Sequence, residues 1–462
     1  MQFNIPKEVL EIINRVRDSG FEIYIVGGAV RGLLTGRIVT DWDFTTNAKP
    51  EEILKIFKDA FYDNNFGTVG IPAKLKDLKP HEITTFRHEM GYSDKRRPDK
   101  VVWGSSLEED LKRRDFTINA IALTVLQGKA EKYKIIDPHD GQGDLERKLI
   151  RAVGEPIERF SEDALRMMRA VRIATELKFK IEKNTLEAIK ANATLIHKIA
   201  KERVRDELIK TLAAPSPYQG MLAFKETGLM EQILPELEKT FGVEQKSPQR
   251  HHIYDVGTHS LMALKYCPSQ DPIVRFATLI HDIGKPQTYK KLANGVITFY
   301  NHEVVSARIA QRIAQRLRFS KKDSEKFIKL VRWHQFTVGE FQTDSAIRRF
   351  IRKVGRENVP DMLALRTGDR LGSGAKETSW RLDKFKERLI EVQKQPFTVH
   401  DLKLSGLDVI HKLDIKPGPM VGEILNQLYK EVVDKKIPND NKILIKRLEE
   451  LKKPSRPRPQ RP

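Results

Sequence analysis

Apolar residues fall in short β-prone runs over the first 150 positions and at helical spacing beyond them. Phe21 to Val26 (FEIYIV) reads as a strand, Gly27-Gly28 breaks it, and the following AVRGLL opens a helix. Asp41-Trp42-Asp43-Phe44 predicts a second strand, in which Asp41 and Asp43 share one face and Trp42 and Phe44 the other. GTVGIP, HEITTF and YKIIDP are further strand candidates, and MQFNIPKEVLEII patterns as an amphipathic helix. Residues 1–150 therefore predict a small α/β head. From about Ile150 strand signals nearly vanish, and SEDALRMMRAVRIATEL and TLEAIKANATLIHKI read as two strong helices of a neck over 151–217, closed by Pro215-Ser216-Pro217. Residues 218–395 form a second helical body, and 396–450 add further helices, of which GPMVGEILNQLYKEVVDKK is the clearest. The Pro- and Arg-rich segment 451–462 predicts a disordered tail. No internal repeat is visible. The fold class is α+β, an α/β head followed by all-α domains.

The strand–turn–helix–strand carries chemistry. Two carboxylates on one strand face repel unless a cation lies between them, and oxygen pairs of this kind suit Mg²⁺, which binds one or two carboxylates plus substrate phosphates. A Gly-Gly turn opening a helix adds backbone N–H groups for those phosphates. Either part alone is a common surface feature. Together they read as a nucleotidyl-transfer site.

Composition narrows the partners. The formal net charge is +20, from 83 basic and 63 acidic residues, which favours a polyanion. The basic residues cluster beside the motifs, at Lys95-Arg96-Arg97, Arg113-Arg114, and Arg166, Arg169 and Arg172. The single cysteine, Cys267, excludes a disulfide framework and a Cys-based zinc site and fits a reducing cytosol. The chain shows no run of membrane-spanning length and no opening signal peptide, so a cytoplasmic protein without a membrane or obligate protein partner is expected.

GGAVR, DWDFTT, RRDFTINA and EDALRMMRA, in this order, resemble the class II tRNA nucleotidyltransferase and poly(A) polymerase family, over roughly residues 20–240. The resemblance implies a DNA polymerase β-type head that joins nucleoside monophosphates from CTP and ATP to the tRNA 3′ end and releases pyrophosphate. It implies that Asp41 and Asp43 hold Mg²⁺, that Gly28 and Arg31 meet the triphosphate, and that Arg114 meets the nucleotide beside Asp115 and Asn119. Glu82 is the first candidate for a third carboxylate and Asp110 the second. Asp163 and Arg166, three apart, are expected on one helix face, reading the base: Asp163 accepts from the amino group that cytosine and adenine share, and Arg166 donates to the ring nitrogen. Arg169 and Arg172 would continue that face toward phosphates. The charged stretch from Thr85 to Trp103 is similar to the flexible loop of family members that complete CCA or add A. One position departs from the family: Gly32 stands where an Asp usually follows the motif arginine.

His259, then His281-Asp282 with Gly284-Lys285, then Asp369, resembles the metal pattern of HD phosphohydrolases, with His302 and His334 completing a second site. Such ligands suit Mn²⁺, Ni²⁺, Fe²⁺ or Zn²⁺. CCA addition to tRNA is the expected activity. The alternatives are a poly(A) polymerase or A-adding enzyme, and an HD-type phosphohydrolase with an RNA-binding head.

Overall fold

The computed structural model describes residues 3–62, 67–73, 79–90, 100–103, 106–126, 133–245, 253–336, 343–377, 379–393, 399–434 and 436–452. Tyr92–Pro98, with the basic cluster at 95–97, and positions 453–462 of the tail lie outside these. The tail's first two residues, Leu451 and Lys452, still belong to the Asn441–Lys452 helix.

The head is built on strands β1 (Ile23–Val26), β2 (Asp43–Thr46), β3 (Phe61–Tyr62), β4 (Thr68–Ile71), β5 (His81–Thr85), β6 (Arg87–Met90), β7 (Lys100–Trp103), β8 (Ala122–Val125) and β9 (Tyr133–Ile136). Seven form one sheet in the order β3-β4-β5-β2-β1-β8-β9. β2 and β5 run parallel, and the other neighbours are antiparallel. β8, which lies between β1 and the edge strand β9, is not marked in the sequence because its apolar run continues the helix-like RRDFTINA. β6 and β7 pair separately, so the stretch expected as a flexible loop has its two ends joined as antiparallel strands.

Alternation divides the sheet into two faces. Ile23, Ile25, Trp42, Phe44 and Ile83 face a core closed by Val9, Ile12, Ile13 and Val16 of the Lys7–Asp18 helix. Val26 and Ala122 belong to a smaller cluster with Phe86, Leu107 and Leu111. Asp43, Thr45 and Glu82 lie out of phase with the first core. The polar face of β2 is thus fixed by burial of Trp42 and Phe44 on the other side.

Beyond β9 the described residues form helices and their connections, with two-residue pairings of Leu149–Ile150 with Lys180–Ile181 and of Lys290–Lys291 with Ile297–Thr298. The neck comprises the helices Pro156–Glu162, Leu165–Leu177, Lys183–Asn192 and Lys201–Ala213. The motif expected as one continuous helix is broken at Asp163, whose backbone is extended (φ −137°, ψ 102°). Its carboxylate accepts the Leu165 N–H at 3.1 Å, serving the open end of the next helix in the way a capping side chain does.

The chain forms two compact units, Met1–His334 with Leu363–Ala375, and Gln335–Met362 with Lys376–Pro462. The first holds head, neck and all the histidines expected as metal ligands. The second packs Leu402, Leu404, Val409, Leu428, Leu444 and Leu448 into its own core, and Phe336, Phe350 and Phe385 into an aromatic cluster. Among the described residues no helix is long and apolar enough to cross a membrane.

Candidate active site

The register of the central strands assembles the first site. Asp43 lies opposite Val26 on β1 and opposite Glu82 on β5. The chain leaving Val26 turns at once over Asp43. Gly27 makes that turn at φ +67°, and a Cβ there would lie 3.4 Å from Asp43 Oδ2 and 3.6 Å from an Arg114 Nη1. Glycine meets both the positive φ and the close approach. Asp41 precedes β2, with its side chain 51% exposed, and pairs with Lys79 at 3.1 Å. Burial, then the Asp41 charge, pushes the Asp43 carboxyl up from its ordinary value. The ammonium of Lys79 thus takes a cation's place beside a carboxylate pair that needs one, and the donor set fits a hard divalent cation.

The arginines of this site are held by buried carboxylates. Asp110 is fully buried and accepts from Arg113 Nε (2.9 Å) and Nη2 (2.6 Å), from Arg114 Nη2 (3.1 Å) and from Thr45 Oγ1 (3.2 Å). Burial opposes its ionisation, but the two guanidiniums outweigh it and hold the carboxyl below its ordinary value. Asp110 is thus occupied with arginines, which corrects its reading as a third metal ligand. Glu82, the first candidate, lies in register with Asp43 on the neighbouring strand. Among the described residues Arg114 Nε is buried without a hydrogen-bond partner. Asp115 accepts from Asn119 (3.0 Å) and from Arg169 Nε (2.8 Å) and Nη2 (2.7 Å), while Arg31 donates to Asn119. Despite burial, Arg169 and Asn119 keep the Asp115 carboxyl far below its usual range. The first, third and fourth motifs are therefore one hydrogen-bonded chain.

The expected base-reading pair is close in space but not on one helix face. Asp163 accepts from Arg203 Nη2 (2.8 Å) and Nη1 (3.3 Å). Arg166, almost fully buried, donates to Glu162 (2.6 Å) and to the main-chain oxygens of Arg113 (3.0 Å) and Arg159 (3.2 Å). Arg172 does not extend a free basic face, since it donates to Glu207 (2.6 Å) and Glu176 (2.8 Å). Nothing in the local sequence marks Arg203 or Glu207. KERVRDEL reads as a solvated charged helix, and only the tertiary pairing identifies them.

The second cluster lies in the body. His259 is on the Val256–Tyr266 helix, His281 and Asp282 follow the Pro272–Ile280 helix, His302 opens His302–Arg316, His334 ends Lys321–Trp333, and Asp369 is on Val359–Gly372. Cβ atoms at Gly368 and Gly372 would come within 2.5 and 2.6 Å of Ala263 backbone atoms, so these glycines let two helices close and bring Asp369 to His259. Asp282 is shared: Oδ2 lies 3.2 Å from His281 Nε2 and 3.5 Å from His259 Nε2, and Oδ1 lies 3.2 Å from His302 Nε2 and 3.6 Å from His334 Nε2. Asp369 Oδ1 lies 3.3 Å from His259 Nε2. The Nδ1 atoms of His281, His302 and His334 sit 2.7 to 2.8 Å from the carbonyls of Thr278, Phe299 and Val331, which orients each Nε2 inward as in metal-binding imidazoles. Lys285 Nζ lies 2.6 Å from Asp282. Burial alone would lower His281, but the charges of Asp282 and Asp369 carry it up to about 10. Two three-ligand sets sharing Asp282 fit transition-metal ions.

The family described as "Poly A polymerase head domain" matches residues 23–151, "Probable RNA and SrmB-binding site of polymerase A" matches 178–241, and tRNA nucleotidyltransferase domain 2 matches 300–448. The CCA-adding enzyme of Ligilactobacillus salivarius is 37% identical over 452 residues, 97% of this chain and 98% of its own. That of Lactobacillus johnsonii is 47% identical over 234 residues, 50% of this chain and 56% of its own. Among solved structures, the Bacillus stearothermophilus CCA-adding enzyme in complex with CTP superposes with a TM-score of 0.69 at 29% identity, covering 96% of this chain and 97% of its own. The Thermotoga maritima CCA-adding enzyme complexed with tRNA shares the fold at 20% identity and a TM-score of 0.61, covering 97% and 96%.

Gly32, where the family pattern has Asp, is buried, and a Cβ there would meet Val39 Cγ2 at 2.8 Å. Alanine gains up to about 1 kcal/mol of helix propensity but overpacks by about 1–3 kcal/mol. Gly32→Ala is therefore expected to lower the melting temperature. Gly32→Ala with Val39→Ala should be more stable than the two single losses added together. Strict additivity would show that the two positions do not touch.

Proposed function

The chain belongs to the CCA-adding enzymes, a family of nucleotidyltransferases, and we propose that Asp41 and Asp43 are the carboxylates with which it extends the tRNA 3′ end by C and A, from CTP and ATP. What supports this reading above all is Asp43 itself, set by β-register between Val26 and Glu82, under the Gly27 turn and beside Arg114. Enzymes of this family are metal-dependent. Mg²⁺ held by Asp41 and Asp43 would supply Lewis acidity toward the attacking 3′ hydroxyl and the departing pyrophosphate. The 3′ oxygen forms the new bond to the α-phosphorus, the bond to the pyrophosphate oxygen breaks, and the hydroxyl proton passes to solvent water.

The protein's own groups do the positioning. Gly28 lets the backbone approach the triphosphate, and Arg31 and Arg114 offer it fixed cations already anchored by Asn119 and Asp110. Asp163 and Arg166 read the amino group and ring nitrogen common to cytosine and adenine. Uracil and guanine would leave both side chains mispaired, and mispaired buried groups discriminate strongly. Arg169 and Arg172 order this surface through Asp115 and Glu207. In this reading residues 1–150 are the catalytic head and 151–217 the base-reading neck. The helical body and the C-terminal helices grip tRNA, and the protein works in the cytoplasm.

The buried histidines favour a second centre. We propose that His259, His281, Asp282 and Asp369, with His302 and His334, hold transition-metal ions as an HD-type phosphohydrolase site. Metal bound there would supply an activated water.

Asp41→Ala and Asp43→Ala are each expected to abolish nucleotide addition while tRNA affinity stays within about twofold. Near wild-type transfer by either refutes the assignment. Affinity for tRNA should fall steeply with salt in a log–log plot, because a net charge of +20 implies several phosphate contacts. A slope near zero would place the RNA footprint elsewhere. Protein dialysed against Mn²⁺ or Ni²⁺ and then desalted should retain metal by elemental analysis, and Asp282→Ala should lose it without losing nucleotide addition. Equal metal content in both proteins contradicts the second centre.

A further inference from the structure

Asp163 stands at a helix junction with most of its hydrogen-bonding capacity already used. An ionised carboxylate offers about four lone-pair positions. Oδ1 accepts the Leu165 N–H at 3.1 Å and Arg203 Nη1 at 3.3 Å, and Oδ2 accepts Arg203 Nη2 at 2.8 Å. One acceptor position, on Oδ2, remains. Arg203 comes from the Lys201–Ala213 helix, one turn before Glu207, which takes Arg172 of the Leu165–Leu177 helix at 2.6 Å. The two ion pairs run in opposite directions between the junction segment and the neck helix, so the Arg203 fork is aimed rather than free.

We infer that Arg203 is a positioning residue that excludes guanine, by leaving Asp163 a single acceptor for the incoming base. The inference rests on Asp163 reading that base. Cytosine and adenine each present one amino group and need one acceptor. Guanine presents two adjacent donors, N1–H and the 2-amino group, and a carboxylate with both oxygens free would accept both side by side. Arg203 takes one position on each oxygen, which with the Leu165 N–H fills Oδ1, and it holds the carboxylate plane through a rigid two-point contact that lysine cannot copy. Specificity here comes from denying a contact to the wrong base as much as from making one to the right base.

The test is single-turnover incorporation of each of the four NTPs onto tRNA lacking its 3′ CCA, with a melting curve for each variant. Arg203→Gln is expected to raise the GTP-to-CTP rate ratio by about tenfold, the worth of one recovered hydrogen bond, with a smaller change for UTP. Arg203→Lys, which keeps the charge and loses the fork, should raise the same ratio and serves if the Gln variant does not fold. A ratio unchanged in both, or a proportional loss of all four rates with a lowered melting temperature, overturns the inference. Asp163→Asn reports on the underlying reading. If its four rates keep wild-type proportions, base reading by Asp163 has failed. If it alters them while both Arg203 variants do not, only the role of Arg203 has failed.

Discussion

A carboxylate taken out of water must be given a cation, and in the head two such carboxylates, Asp110 and Asp115, decide where the working arginines stand. Asp110 takes Arg113 and Arg114 and ties them through Thr45 to the strand that carries Asp43. Asp115 takes Arg169 directly and Arg31 through Asn119. Removing either carboxylate would take away the charge against which these guanidiniums are held. The geometry of the proposed site is therefore set by ion pairs around it. The same rule governs the body, where buried Asp282 gathers histidines and Lys285, and the partly buried Asp369 takes His259 and Arg366.

The features legible in the sequence are those set by local rules. Period-two alternation separates Asp41 and Asp43 from Trp42 and Phe44, and the structure buries the latter pair at 4% and 1% exposure. The Gly27-Gly28 break marks the turn because the turn needs a positive φ and close approach to Asp43. The histidines are legible by type and order, although the closing contact of Gly368 and Gly372 on Ala263 is not. What stays hidden depends on partners far along the chain. The break at Asp163 is invisible because EDALRMMR keeps helical periodicity, and the side chain that holds Asp163 comes from Arg203 in another helix. Asp110 looks like a metal ligand until its burial against Arg113 and Arg114 is seen. β8 is lost because its apolar run follows directly on a motif that reads as a helix.

The positive charge of the chain is thereby divided into two populations. Arg31, Arg113, Arg114, Arg166, Arg169, Arg172 and Arg203 are each anchored by acidic or amide partners, which fixes where they point. The remaining exposed lysines and arginines supply the long-range attraction expected for an RNA partner. Net charge alone therefore overstates how many cations are free to meet phosphate.

The central claim is that one head adds both C and A to tRNA without a nucleic-acid template. It is tested most directly by giving the purified protein a tRNA that lacks its 3′ CCA, with labelled CTP alone, ATP alone and both together. The account predicts that CTP alone adds C, that both together complete CCA, and that ATP alone adds little to this end. Addition of A alone with CTP refused, or no addition of either nucleotide in the presence of Mg²⁺, would contradict it.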